Sequence, residues 1–95
     1  MTALLIANIT VRDAEQMQAY GAAAGPTVAA HGGEFIMRGK FADTLLGDRA
    51  DNAVALIRFP TVDAAKGWFT SPEYQALTDL RDSAANMEFT LYEAT

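Results

Sequence analysis

Ninety-five residues with twelve acids, seven bases and a formal charge of −5, 51% hydrophobic and 20% charged, have the composition of a globular chain. One domain over residues 1–95 is expected, and surface scaling allows roughly 64% of the unfolded area to be buried, enough for a core without staples. With no cysteine, disulfides, thiolate zinc sites, iron–sulfur clusters and a cysteine nucleophile are excluded, and the seven bases form no phosphate-tracking stripe, so no nucleic acid partner is expected.

Ala3 to Val11 is a continuous apolar run rich in branched residues, short enough for a strand buried on both faces. Asp13 followed by Gln16 forms a capping-box variant, with Glu15 at the positive end of the helix it opens. Met17, Tyr20, Ala24, Val28 and His31 recur at helical steps, and Gly25-Pro26 predicts a kink or a restart among them. Gly32-Gly33 ends this helix. From Glu34 to Arg38 the alternation sets Phe35 and Met37 against Glu34, Ile36 and Arg38, a strand that Gly39 is expected to bend or bulge before it continues through Phe41 to Leu46. The turn-rich stretch from Gly47 to Asn52 reads as a hairpin loop into a third strand, Ala53 to Phe59, closed by Pro60. Thr61 caps a helix carrying Val62, Ala65, Trp68 and Phe69, and Ser71-Pro72-Glu73 starts a second segment running from about Pro72 to Ala85. Met87, Phe89 and Leu91 alternate with Glu88, Thr90 and Tyr92 in a half-exposed last strand.

The order strand, helix, strand, strand, helix, strand is the split βαβ pattern of ferredoxin-like α+β folds, with an antiparallel sheet covered by helices on one face. Yet Val54 and Leu56 are apolar on one side of strand three while Ala53, Ala55, Ile57 and Phe59 are apolar on the other, and strand one repeats this. Helices cover one face only, so an identical sheet from a second chain is the simplest cover for the other, giving a homodimer. No apolar run approaches the ~20 residues of a membrane span and no basic segment precedes the first one, so a cytoplasmic protein without a membrane partner is expected.

His31 is the side chain whose charge changes near neutral pH, which makes it a candidate general base; a helix C-terminus equally gives it a structural duty. One histidine with scattered carboxylates matches no spaced ligand motif, so neither a metal nor another cofactor is expected. Trp68, Phe69 and Tyr74 group large rings around a helix break and read either as core or as the wall of a small-molecule site. Arg81, seven residues past Tyr74 and on the same helical face, is placed to hold an anionic ligand or to pair with Asp79, Asp82 or Glu88 at the surface. Arg38 and Arg58 lie on strands, where each reaches a ligand or an ion pair with Glu34 or Glu93; Asn8 interrupts the apolar first strand as a hydrogen-bonded position or a polar anchor.

The run Phe59 to Ala65, followed by Trp68, Phe69, Thr70, Ser71, Pro72, Glu73, Tyr74, Gln75 and Leu80-Arg81, together with Gly32-Gly33-Glu34-Phe35 and Arg38-Gly39, resembles the bacterial family called domain of unknown function 1330. The resemblance spans almost the whole chain and implies a dimeric α+β barrel, a superfamily that also holds cofactor-independent monooxygenases, muconolactone isomerases and haem-binding relatives. It brings no reaction of its own. The expected function is a small-molecule-binding dimer of unknown activity, with Trp68, Tyr74 and Arg58 contacting a small aromatic or anionic ligand between sheet and helices. The enzymatic alternative is a cofactor-independent oxygenase or isomerase with His31 as base and Arg81 or Asn8 steadying an oxyanion.

Overall fold

A computed structural model describes residues 1–95. Strands β1 (Ala3–Val11), β2 (Glu34–Lys40), β3 (Ala53–Phe59) and β4 (Ala85–Glu93) form one sheet in the order β2-β3-β1-β4, with every neighbouring pair antiparallel. Helix α1 (Ala14–Ala30) joins β1 to β2; α2 (Val62–Thr70), α3 (Pro72–Gln75) and α4 (Thr78–Ala84) join β3 to β4. This is the ferredoxin-like α+β arrangement that the element order implies. No helix is long and apolar enough to cross a membrane.

Local chemistry explains the helix ends. The Asp13 carboxylate accepts from the Gln16 amide at 3.0 Å, Thr61 Oγ1 from Ala64 at 3.0 Å and Ser71 Oγ from Tyr74 at 3.3 Å. At the far end of α1, Gly33 donates to the Val28 carbonyl and Gly32, at φ +78°, to that of Ala29, a paired closure that leaves His31 as the C-cap. Pro26 causes no restart: α1 runs unbroken past it. The segment from Pro72 instead divides, because the Thr78 hydroxyl takes the Gln75 carbonyl at 2.8 Å and Leu77 N–H turns back to Tyr74, so the chain tightens between α3 and α4.

Two strand expectations are corrected. The second strand ends at Lys40, opposite Ala53, where its partner β3 begins; beyond that point one backbone bond, Phe41 N–H to the Asn52 carbonyl at 2.8 Å, is all that continues the pairing, and Leu45 and Leu46 stand 94% and 97% exposed. The irregularity falls at Ile36 rather than Gly39: Phe35 pairs with Ile57, but Met37 pairs with Leu56. Phe35 therefore faces the helices and Met37 the opposite side, and Arg38, opposite Ala55, is turned to the helix side.

One core joins sheet and helices. Ala3, Leu5, Ala7 and Ile9 of β1 pack with Ala55, Ile57 and Phe59 of β3 against Tyr20, Ala24, Val28, Ala65, Trp68 and Tyr74. Trp68 anchors it, with its ring centroid 4.2 Å from that of Tyr74 and 5.6 Å from that of Phe59. The other sheet face, carrying Leu4, Ile6, Val54 and Leu56, has no helix over it, and the molecule is 17 Å through its thinnest dimension, the depth of two layers.

Candidate functional site

The face of α1 turned to the sheet carries small residues, Gly21 and Ala24 among Met17, Tyr20 and Val28, and the strands below contribute Ala7, Ala53 and Ala55. Short side chains from both layers do not meet, and a cavity of about 580 Å³ remains between them. Phe35, Ile57, Met87, Phe89 and the Trp68 ring complete walls that are apolar almost throughout. Its exposed wall consists of Ala14, Gln18 and Ala22 from α1 and Arg38 from β2, which places the mouth between that helix and the sheet edge.

Two ionisable side chains line this space, Arg38 and Tyr20. The Arg38 guanidinium lies 4.7 Å from the Phe35 ring centroid, held over the ring at the rim. Tyr20 sits on the inner wall with its hydroxyl 2.7 Å from that of Tyr74, and the Arg81 guanidinium reaches the Tyr74 hydroxyl at 3.4 Å. Burial and the hydrogen bond to Tyr74 hold the Tyr20 phenol well above its ordinary pKa, so it remains protonated throughout the physiological range. The Trp68 indole donates to Thr27 Oγ1 at 3.0 Å, and Thr27 passes its own hydrogen to the Ala24 carbonyl.

Beyond Met87 and Phe89 a second, more open cleft of about 520 Å³ is bounded by Phe69, Asn86 and the guanidinium groups of Arg12 and Arg81. Its cations are already engaged: Arg81 donates to the Asp82 carboxylate at 3.2 Å and Arg12 to the Asp82 carbonyl.

The structure distributes the sequence candidates over different surroundings. Trp68 lines the cavity; Tyr74 is fully buried behind it, and Arg81 borders the second cleft. His31, at the end of α1, has Nε2 3.4 Å from Glu73 Oε2. Asn8 lies on the uncovered sheet face, in register with Val54 and Glu88. Arg58 shares that face and pairs with Glu34 of its own chain across the β2–β3 register. His31, Arg81 and Asn8 share no hydrogen bond, and Arg81 and Asn8 border different depressions. Sequence reasoning left Arg38 between a ligand contact and an ion pair, because the bulge at Ile36 hid which sheet face it takes, and it read Tyr20, the hydroxyl of the cavity wall, only as a helical core position. No group of three or more histidine or carboxylate side chains is placed to hold a metal.

Solved structures of similar shape share this fold. A protein of unknown function from Rhodopseudomonas palustris, RPA0582, superposes with a TM-score of 0.84 at 21% identity, covering 99% of this chain and 82% of that one. SnoaB, a cofactor-independent oxygenase from Streptomyces nogalater, gives 0.70 at 21% identity over 99% and 93%. A dimeric ferredoxin-like protein of unknown function from Thermobifida fusca gives 0.62 at 17% identity over 99% and 92%. No curated protein matches the sequence. The model of the family described as Domain of unknown function (DUF1330) matches residues 2–95, and the chain belongs to that family.

Proposed function

We propose that this protein is a cytoplasmic homodimer that binds an apolar small molecule carrying an acidic group in the cavity between α1 and the sheet. The observation that carries the reading is the cavity itself: about 580 Å³, walled by aliphatic and aromatic side chains, with one cation at its rim and no acid along its lining. Apolar walls supply affinity, and the Arg38 fork over the Phe35 ring supplies a bidentate partner for a carboxylate. Self-association is supported by the dimeric neighbour and by the uncovered apolar sheet face.

The test is binding of 2-naphthoate and its neutral counterpart 2-ethylnaphthalene, followed by calorimetry and by Trp68 emission. Arg38→Ala is expected to weaken the carboxylate by about 1.5–3 kcal/mol, the range for a charged hydrogen bond, and to leave the hydrocarbon unchanged. Equal loss for both probes would remove Arg38 from the site; no binding of either would remove the cavity.

An oxygenase or isomerase is the second reading, favoured by the fold shared with SnoaB. Within this cavity such chemistry would have only a phenol and a guanidinium among ionisable groups, so the substrate would have to supply its own reactivity.

A further inference from the structure

The hydrogen-bond chain that ends on Tyr20, a residue of the cavity wall, has a direction, and the direction decides which hydroxyl keeps a free hydrogen. Arg81 has no acceptor, so in its contact with Tyr74 the guanidinium donates and the Tyr74 oxygen accepts. Tyr74 is fully buried, and the oxygen 2.7 Å away on Tyr20 is the acceptor available to its own hydroxyl hydrogen. Were Tyr20 to donate instead, Tyr74 would keep a hydrogen with no acceptor inside the core, where an unpaired donor is strongly disfavoured. The order is therefore Arg81 to Tyr74 to Tyr20. Three donors and two oxygens leave one hydroxyl hydrogen over, and this order puts it on Tyr20, at the cavity wall. The other inner polar group, the Trp68 indole, is satisfied by Thr27.

We infer that Tyr20 is the specificity-determining donor of the cavity and that the ligand presents a carbonyl-type oxygen to it, in addition to the acidic group read by Arg38. This rests on the cavity being the binding site. A guanidinium at the head of the chain polarises both hydroxyls toward the ligand, so the site favours an acceptor over an isosteric hydrocarbon and disfavours a group that can only donate.

The experiment compares 2-acetylnaphthalene with 2-ethylnaphthalene, two probes of like shape that differ in one acceptor oxygen, in the intact protein and in Tyr20→Phe and Tyr74→Phe. The intact protein should prefer the ketone by about tenfold after correction for their partition from water, the scale of one hydrogen bond. Tyr20→Phe should abolish that preference and keep hydrocarbon affinity within about twofold. Tyr74→Phe should leave the preference equal or smaller; an increase would mean that Tyr20 normally donates to Tyr74 and would overturn the proposed direction. Since Tyr20 is a core residue, a measurement on the intact protein stands beside the variants: the carbonyl stretch of bound, carbon-13-labelled 2-acetylnaphthalene should fall below its frequency in hexane. An unshifted stretch, or equal binding of both probes in every form, overturns the role of Tyr20 and leaves the cavity standing. Failure of both probes to bind the intact protein removes the cavity and this inference together.

Discussion

Gly33 lies where the chain leaves α1 for β2, and a Cβ there would sit 2.6 Å from Val28 Cγ1 and 2.7 Å from Phe59 Cε1. Both neighbours belong to the core and have no room to retreat, so Gly33→Ala should lower stability by about 1–3 kcal/mol, the range for an overpacked site. Gly21 presents the opposite case. Its missing side chain would meet nothing within 4 Å, and a mid-helix glycine carries an entropic penalty that alanine removes, so Gly21→Ala should raise stability by about 0.8–1 kcal/mol. Urea denaturation of the two variants checks both signs at once. The glycine pair after His31 was legible in the sequence as a helix end; that Gly33 also seats the chain against Phe59 was not, because the contact joins residues far apart in the sequence.

At the scale of elements, legibility depended on whether each strand kept its alternation. Strands β1, β3 and β4 do, and their inward and outward residues follow from parity alone. In β2 one extra residue at Ile36 reverses the parity of everything after it, moving Met37 to the uncovered face and Arg38 to the cavity rim. The cavity was equally hidden, since a run of small residues on α1 reads as an unremarkable helical face until the depth of the sheet beneath it is known. That origin can be tested by filling the space. Ala55→Leu extends a sheet residue toward α1, and the three added carbons should stabilise the fold by up to about 2.4 kcal/mol at ~0.8 kcal/mol for each buried carbon. The same variant should weaken 2-naphthoate at least about tenfold, because filler and ligand compete for one volume. A loss of stability on denaturant titration would show that the side chains already meet.

At the scale of the molecule, the accessible surface is 5954 Å², against ~5,300 Å² for a compact monomer of this 10.2 kDa mass. Part of the excess lies in the loop after β2, where Leu45 and Leu46 stand exposed, and the sheet face carrying the half-buried Leu4, Ile6, Val54 and Leu56 has no second layer in a molecule 17 Å thick. Sequence parity in β1 and β3 already implies a cover for that face, and under the proposed homodimer that cover is a second copy of the chain. Ile6 and Leu56 are paired across the two central strands, so a charge at Leu56 falls in the middle of the face. Around a two-fold axis every substitution occurs twice, and Leu56→Lys would bury two like charges with no partner, each at a cost of about 3–5 kcal/mol. The single chain should tolerate the change, because Leu56 is only half-buried there and a lysine stem can follow the sheet to water. Sedimentation equilibrium should therefore give about twice the chain mass for the natural protein and one chain mass for Leu56→Lys at micromolar concentration, with the far-ultraviolet circular dichroism of the two alike. A variant that remains dimeric would move the interface away from this face, and a variant that loses its secondary structure would show that β3 cannot fold without its partner.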